Sequence, residues 1–238
     1  MRLAQRLLMR VSIGAVAEVL PSALSTIDKA AAITLSNNNR TATRAAGSAW
    51  AVVRSATGKH SGKHYFEITN VANGSGTGDA MWGFHEPTDS LSLYPGNASL
   101  TAKSMGWEPN LTPNSAKFQD GSLGAVAEYG TVAAGQYSRF AIDFDAGKLW
   151  VRNSAAAGWA GGGDPEAGTS PTFTFTPNAH LFVAVGAYSG PQAATVNFGN
   201  AAFLGAVPTG FAAGWLAPEG IGALTFDSRI TTAGTADA

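Results

Sequence analysis

The chain has 238 residues, room for one well-packed domain with short additions and tight for two. It contains no cysteine, which excludes disulfides, thiol nucleophiles, zinc–thiolate centres and iron–sulfur ligation by its own residues. The formal net charge is −1, but residues 1–63 hold nine of the fifteen Lys and Arg against Glu18 and Asp28. The remainder is therefore mildly acidic, which argues against a nucleic-acid surface there.

Residues 1–20 (MRLAQRLLMRVSIGAVAEVL) begin basic and turn apolar. Leu3, Leu7, Ile13, Val16, Val19 and Leu20 form an incomplete helical stripe that Pro21 stops, so a short amphipathic or docking segment is favoured. A cleaved signal fits less well, because Arg6, Arg10 and Glu18 interrupt the apolar part and no clean cleavage site follows. A plain extension is the third reading. No apolar run approaches the length of about 18 residues that a membrane span needs.

Residues 22–32 read as a small-residue connector. Short strands are expected at 33–35 and 41–44 around the polar turn SNNNR, and at 50–55, where Trp50 and Val52 share a face. Residues 64–69 (HYFEIT) form the next strand, with Phe66 and Ile68 on one face and Glu67 and Thr69 on the other. Turn formers follow over 70–78, then a strand at 80–85. Residues 86–114 are looser, with four prolines, and only 104–107 reads as a strand within them.

Phe140, Ile142 and Phe144 alternate with Arg139, Ala141 and Asp143, which marks a half-buried strand over 139–144. Asp145-Ala146-Gly147 is a tight turn, with Asp145 opening it and Gly147 tolerating positive φ, and 148–153 returns as the hairpin partner. Residues 155–171 hold five glycines and read as loop. An edge-like strand carries Phe173 and Phe175, a central one runs through Leu181, Val183 and Val185, and 194–198 closes the sheet. A further short strand is expected at 223–226, and 229–238 is a tail. This is an all-β chain of short strands between glycine-rich turns. The 29 glycines and a charged content of 13%, where about 25% is usual, admit two readings. The flanks are covered in an assembly, or small side chains simply suit a turn-rich β protein.

Catalytic motifs are missing. Asp143 and Asp145 lack the further oxygen ligands of a calcium loop, and His60, His64, His85 and His180 show no metal-site spacing, so no metal is expected. Gly74-Ser75-Gly76 is not a nucleophile elbow, and the glycines at 161–163 are followed by no Lys-Ser/Thr of a phosphate loop. Neither an enzyme nor a cofactor is expected.

Several stretches together resemble one family: the GKHYFE strand, the aromatic–glycine strand after it, the IDFDAGKLW hairpin, the GDPEAGTSP loop and the closing VNFG. Their order and spacing resemble the SPRY family, and more narrowly its bacterial and bacteriophage versions, over residues 33–211. The resemblance implies a two-sheet antiparallel β-sandwich of the concanavalin A-like jelly-roll type, used for binding. The expected organisation is an N-terminal helical or extended assembly segment (1–28), the sandwich (29–211), and a C-terminal extension and tail (212–238).

The phage resemblance implies a virion component: a tail fibre, baseplate or head-decoration protein on the particle surface that contacts host glycan or protein. Its N-terminal segment would dock on other virion subunits, and such appendages are homo-oligomers by analogy. A purely structural cementing protein is one alternative, and an intracellular protein-interaction adaptor is another. In this family binding falls to loops at one rim, so the ring-bearing loops 86–114 and 154–171 nominate Tyr94, Trp107, Glu108, Trp159 and Asp164.

Overall fold

The computed structural model describes residues 21–72, 80–111, 115–125 and 130–216. The expected N-terminal helix or docking segment at 1–20, the strand at 223–226 and the tail lie outside the described residues.

The strands in chain order begin with β1 (Leu24–Lys29), β2 (Ile33–Ser36), β3 (Thr41–Arg44), β4 (Ser48–Ser55) and β5 (Lys63–Ala72). Next come β6 (Ala80–His85), β7 (Met105–Glu108), β8 (Ala116–Gln119), β9 (Ser122–Ala125) and β10 (Tyr137–Asp143). The last are β11 (Lys148–Asn153), β12 (Phe173–Thr174), β13 (Phe182–Ser189), β14 (Gln192–Asn197) and β15 (Ala212–Ala213). They form two sheets: β1-β4-β13-β6-β7-β8-β9, and β12-β11-β10-β5-β14-β3-β2, with β15 added parallel to β5 beside His64 and Tyr65. All other pairings are antiparallel, so the chain is a two-sheet β-sandwich, as the family resemblance implies.

Period-two alternation builds the core between the sheets. Phe66, Ile68, Phe140, Ile142, Val196 and Phe198 point inward from one sheet; Val53, Trp82, Phe84, Met105, Trp107, Val183 and Val185 do so from the other. The Phe66 and Phe140 rings stack with centroids 5.0 Å apart, and Trp215 meets Phe66 at 5.6 Å and Phe84 at 5.9 Å. Each ring taken fully from water contributes on the order of 1.5–3 kcal/mol.

The core reaches past both ends of the 29–211 span. Residues 22–32 are not a connector: Leu24 is buried and β1 pairs with the edge of β4, with a register shift between Leu24 and Lys29. At the other end Trp215 is fully buried, and its indole N–H donates to the Thr57 carbonyl at 2.8 Å. Neither residue sits in an alternating run long enough to announce a core position.

The β10–β11 hairpin forms as its sequence indicates, with Asp143 opposite Lys148. Gly147 has φ +64, and a Cβ there would overlap the Phe175 carbonyl oxygen, so glycine is required on both counts. The capping role expected of Asp145 falls to Asp143, whose Oδ1 accepts the Ala146 N–H at 2.9 Å while Lys63 pairs with its other oxygen at 3.2 Å. Asp145 instead accepts the Gly62 N–H at 3.0 Å, tying the turn to the start of β5.

Candidate binding site

The outer face of the β5-β10-β11 sheet carries two cross-strand rows. One is Tyr65, Ala141 and Trp150; the next is Glu67, Arg139 and Arg152. The apolar row is roofed by Phe203, Val207, Phe211 and Trp159, forming a second, smaller core. Phe203 meets Tyr65 edge-on at 5.0 Å, and the Trp150 N–H donates to the Thr169 carbonyl at 2.7 Å.

Two segments supply that roof, and carboxylates hold them down. Glu67 accepts the Leu204 N–H at 2.9 Å, the Gly205 N–H at 2.7 Å and the Tyr65 hydroxyl at 2.7 Å. Burial, then the Glu67 carboxylate to which it donates, holds the Tyr65 phenol well above its ordinary range. Glu166 accepts the Thr209 N–H at 2.7 Å, which joins the 154–171 loop to the strap at 203–209. Asp164 caps its own loop, accepting the Glu166 and Ala167 N–H groups at 2.9 and 3.1 Å.

Between these two segments lies a cleft of about 160 Å³, lined by Arg139, Arg152, Trp159, Asp164, Pro165, Glu166, Ala206, Val207 and Pro208. Its floor is the polar row. Arg152 donates to the Ala156 and Ala157 carbonyls, and Arg139 donates to the Tyr137 hydroxyl at 3.1 Å, its guanidinium 5.4 Å from that ring. Across the strap is a wider cleft of about 240 Å³ lined by Asn37, Arg40, Thr69, Thr195, Asn197 and Leu204. It has no ring, and its amides are spent locally: Asn197 bonds the Ala201 and Ala202 carbonyls, and Arg40 bonds Asn37.

The nominated residues do not gather at one rim. Trp159 and Asp164 meet at the first cleft. Trp107 does not: it is fully buried, faces Trp82 across β6 and β7, and donates its N–H to Asn153 Oδ1 at 3.1 Å. Glu108 beside it is buried too, at 5% exposure, so neither side chain lies on a surface that another molecule could contact. Tyr94 lies on the opposite sheet's outer face, packed on Trp50 at 5.0 Å and Phe118 at 5.7 Å. A signal existed for Trp107, since Met105 and Trp107 stand two apart in the only strand of their stretch, a core-facing pattern. Arg139 and Arg152 were missed, though counting outward from the Asp145–Gly147 turn sets them opposite each other.

Among the described residues no group of three or more His, Asp or Glu could hold a metal ion. His60 and His180 approach edge-on at 6.0 Å without a third ligand, and His85 is fully buried.

No family model matches the chain, and no curated protein matches it. Solved structures do. The SPRY domain of human HERC1 aligns with TM-score 0.55 and 13% identity, over 73% of this chain and 96% of that one. A TRIM65 PSpry domain aligns at 0.53 and 13%, over 74% and 92%, and a human SPRY domain at 0.52 and 17%, over 72% and 98%. The chain thus has the SPRY-like β-sandwich fold.

These matches correct the particle reading. These three similar structures are SPRY domains, two of them human, rather than phage subunits. The tail-fibre, baseplate, head-decoration and cementing roles are withdrawn, and with them the host-surface receptor, the virion-subunit partners and the virion-surface location.

Proposed function

We propose that this chain is an intracellular protein-interaction adaptor that holds a short segment of a partner protein in the Trp159 cleft. The observation that carries the reading is that cleft: a ring and two guanidiniums gathered by two tied-down loops on an interaction-type sandwich. A cleft of about 160 Å³ suits one or two side chains and falls below the ~300 Å³ at which small-molecule and cofactor pockets begin. The absence of cysteine means that the fold asks nothing of an oxidising compartment.

The test is to pan a random-peptide display library on the full chain and measure the selected peptides by calorimetry. A ring that anchors a partner costs at least ~2 kcal/mol when truncated. Trp159→Ala should therefore weaken the selected peptides about thirtyfold, while lowering the melting temperature only modestly through its partial packing on the second core, so that the chain stays folded at the assay temperature. Peptides that bind the variant as well as the wild type would remove the cleft from the interaction surface.

A further inference from the structure

We propose that the Trp159 cleft is specific for a carboxylate, the side chain of an Asp or Glu or the C-terminus of a partner segment, received by Arg139 and Arg152. The inference rests on the cleft being the interaction site.

Arg139 and Arg152 stand directly opposite each other in the antiparallel β10–β11 pair. Like charges in that position repel, and the Glu67 carboxylate in the same row stands opposite Arg139 only, leaving the Arg152 side of the pair without a facing anion. Among the described residues neither guanidinium forms an ion pair, whereas Arg54, Lys63 and Lys103 each have a carboxylate. The carboxylates nearby are already engaged. Glu67, the third member of the row, gives its oxygens to two strap amides and the Tyr65 hydroxyl. Asp164 and Glu166 accept backbone N–H groups of the loops they fasten.

Both forks also keep donors in reserve. Arg139 spends Nη2 on the Tyr137 hydroxyl and has Nε sealed beneath the strap at Gly205, while its Nη1 donates to no described residue. Arg152 spends Nε and Nη2 on the Ala156 and Ala157 carbonyls, and its Nη1 donates to no described residue. Planar forks of this kind match a carboxylate's two oxygens, and the resulting charge-assisted bonds are the strong ones. A monoanion is favoured over a phosphate dianion because Asp164 and Glu166 line the same cleft and repel the second charge. Trp159, Pro165, Val207 and Pro208 supply apolar walls for the stem of the acidic side chain.

The experiment takes the Trp159-dependent peptides from the display selection and remakes each in four forms. These are the parent, an Asp-to-Asn or Glu-to-Gln form, a C-terminally amidated form, and a form with phosphoserine in place of the acid. Each is titrated against the full chain and against Arg152→Gln, Arg139→Gln and Arg152→Lys, with melting temperatures recorded. Neutralising the responsible carboxylate should weaken binding about ten- to hundredfold, the range of a hydrogen bond to a charged group. The amide and amidated arms tell a side chain from a C-terminus. Arg152→Gln should abolish that discrimination, and Arg152→Lys, which keeps the charge and loses the fork, should restore only part of it. Equal binding by the parent, the Asn or Gln form and the C-terminally amidated form together overturns the carboxylate proposal while leaving the cleft as an interaction site. Tighter binding of the phosphoserine form also overturns it. Selected peptides that ignore Trp159→Ala would instead remove the underlying site.

Discussion

The two outer faces of the sandwich are covered in different ways. Over the seven-stranded sheet, the segment 91–97 lies directly on the strands. A Cβ at Gly106 would overlap the Pro95 carbonyl oxygen, and Tyr94 wedges between Trp50 and Phe118. Van der Waals contact seals that face, and it buries His85 completely. Over the other sheet, the 154–171 loop and the 203–209 strap pack on Tyr65, Ala141 and Trp150 through Trp159, Phe203 and Val207 and are tied at Glu67 and Glu166, and a charged cleft stays open between them. A cover packed continuously has no room for a ligand. One fastened at a few backbone amides leaves functional groups accessible at little cost in stability.

The comparison predicts very different sensitivities to mutation. The largest effect belongs to the core beneath the sealed face. Trp107→Ala removes a fully buried ring and its bond to Asn153, and should cost about 3–5 kcal/mol. Urea unfolding would check it, and a loss below about 1 kcal/mol would contradict the buried placement.

The sealed face should also be acid-sensitive through His85. Burial, and then the Arg54 guanidinium, lowers the His85 pKa from 6.5 to about 3. The unfolded chain takes up a proton between those values and the folded chain does not. Stability from this group is therefore full above about pH 6.5 and falls as the pH drops toward 3, with about 3 kcal/mol gone by pH 4. Unfolding series at several pH values, compared between the wild type and His85→Gln, isolate the effect. Equal slopes in the two proteins would show that His85 is not sealed in.

Glycine substitutions compare the two covers directly. Gly106→Ala drives a methyl into the Pro95 carbonyl and should cost about 1–3 kcal/mol. Gly158, in the loop that carries Trp159, has nothing within 4 Å of an added Cβ, so Gly158→Ala should stay within about 0.5 kcal/mol. Thermal unfolding of the pair provides the check, and similar losses would dissolve the contrast.

Much of this architecture is legible in the sequence, because half-buried strands advertise themselves. The β6 and β11 bounds coincide with runs of alternating or β-branched and aromatic residues, and the β10–β11 register follows from one turn. Which face of a strand looks inward is less legible. Tyr65 and Phe66 are both fully buried, one under the strap and one in the core, so alternation alone does not separate them. Trp107 misleads for a related reason. Its strand of four residues sits in a proline-rich stretch, so the Met105–Trp107 alternation is short, and the flanking β6 and β8 are what bury it. The cleft depends on the strap reaching Glu67 from 137 residues away, a contact that no local pattern encodes.

The smallest predicted loss of a native contact tests how the open cover is fastened. Glu166 is exposed, and the structural tie it makes is the acceptance of the Thr209 N–H at 2.7 Å. Glu166→Ala removes that acceptor and should cost about 0.5–1 kcal/mol, the net worth of one hydrogen bond in contact with water. Glu166→Gln keeps an acceptor oxygen at the same reach and should cost less. Global stability barely registers so small a change, whereas amide exchange does. The Thr209 amide should exchange several-fold faster in the alanine variant and near the wild-type rate in the glutamine one, with the β5 amides unaffected in both. Faster exchange spread along β5 would mean that the strap is integral to the sheet, and the open face would then be held as continuously as the sealed one. Unchanged exchange at Thr209 in both variants would mean that packing of Phe203, Val207 and Phe211 alone holds the strap.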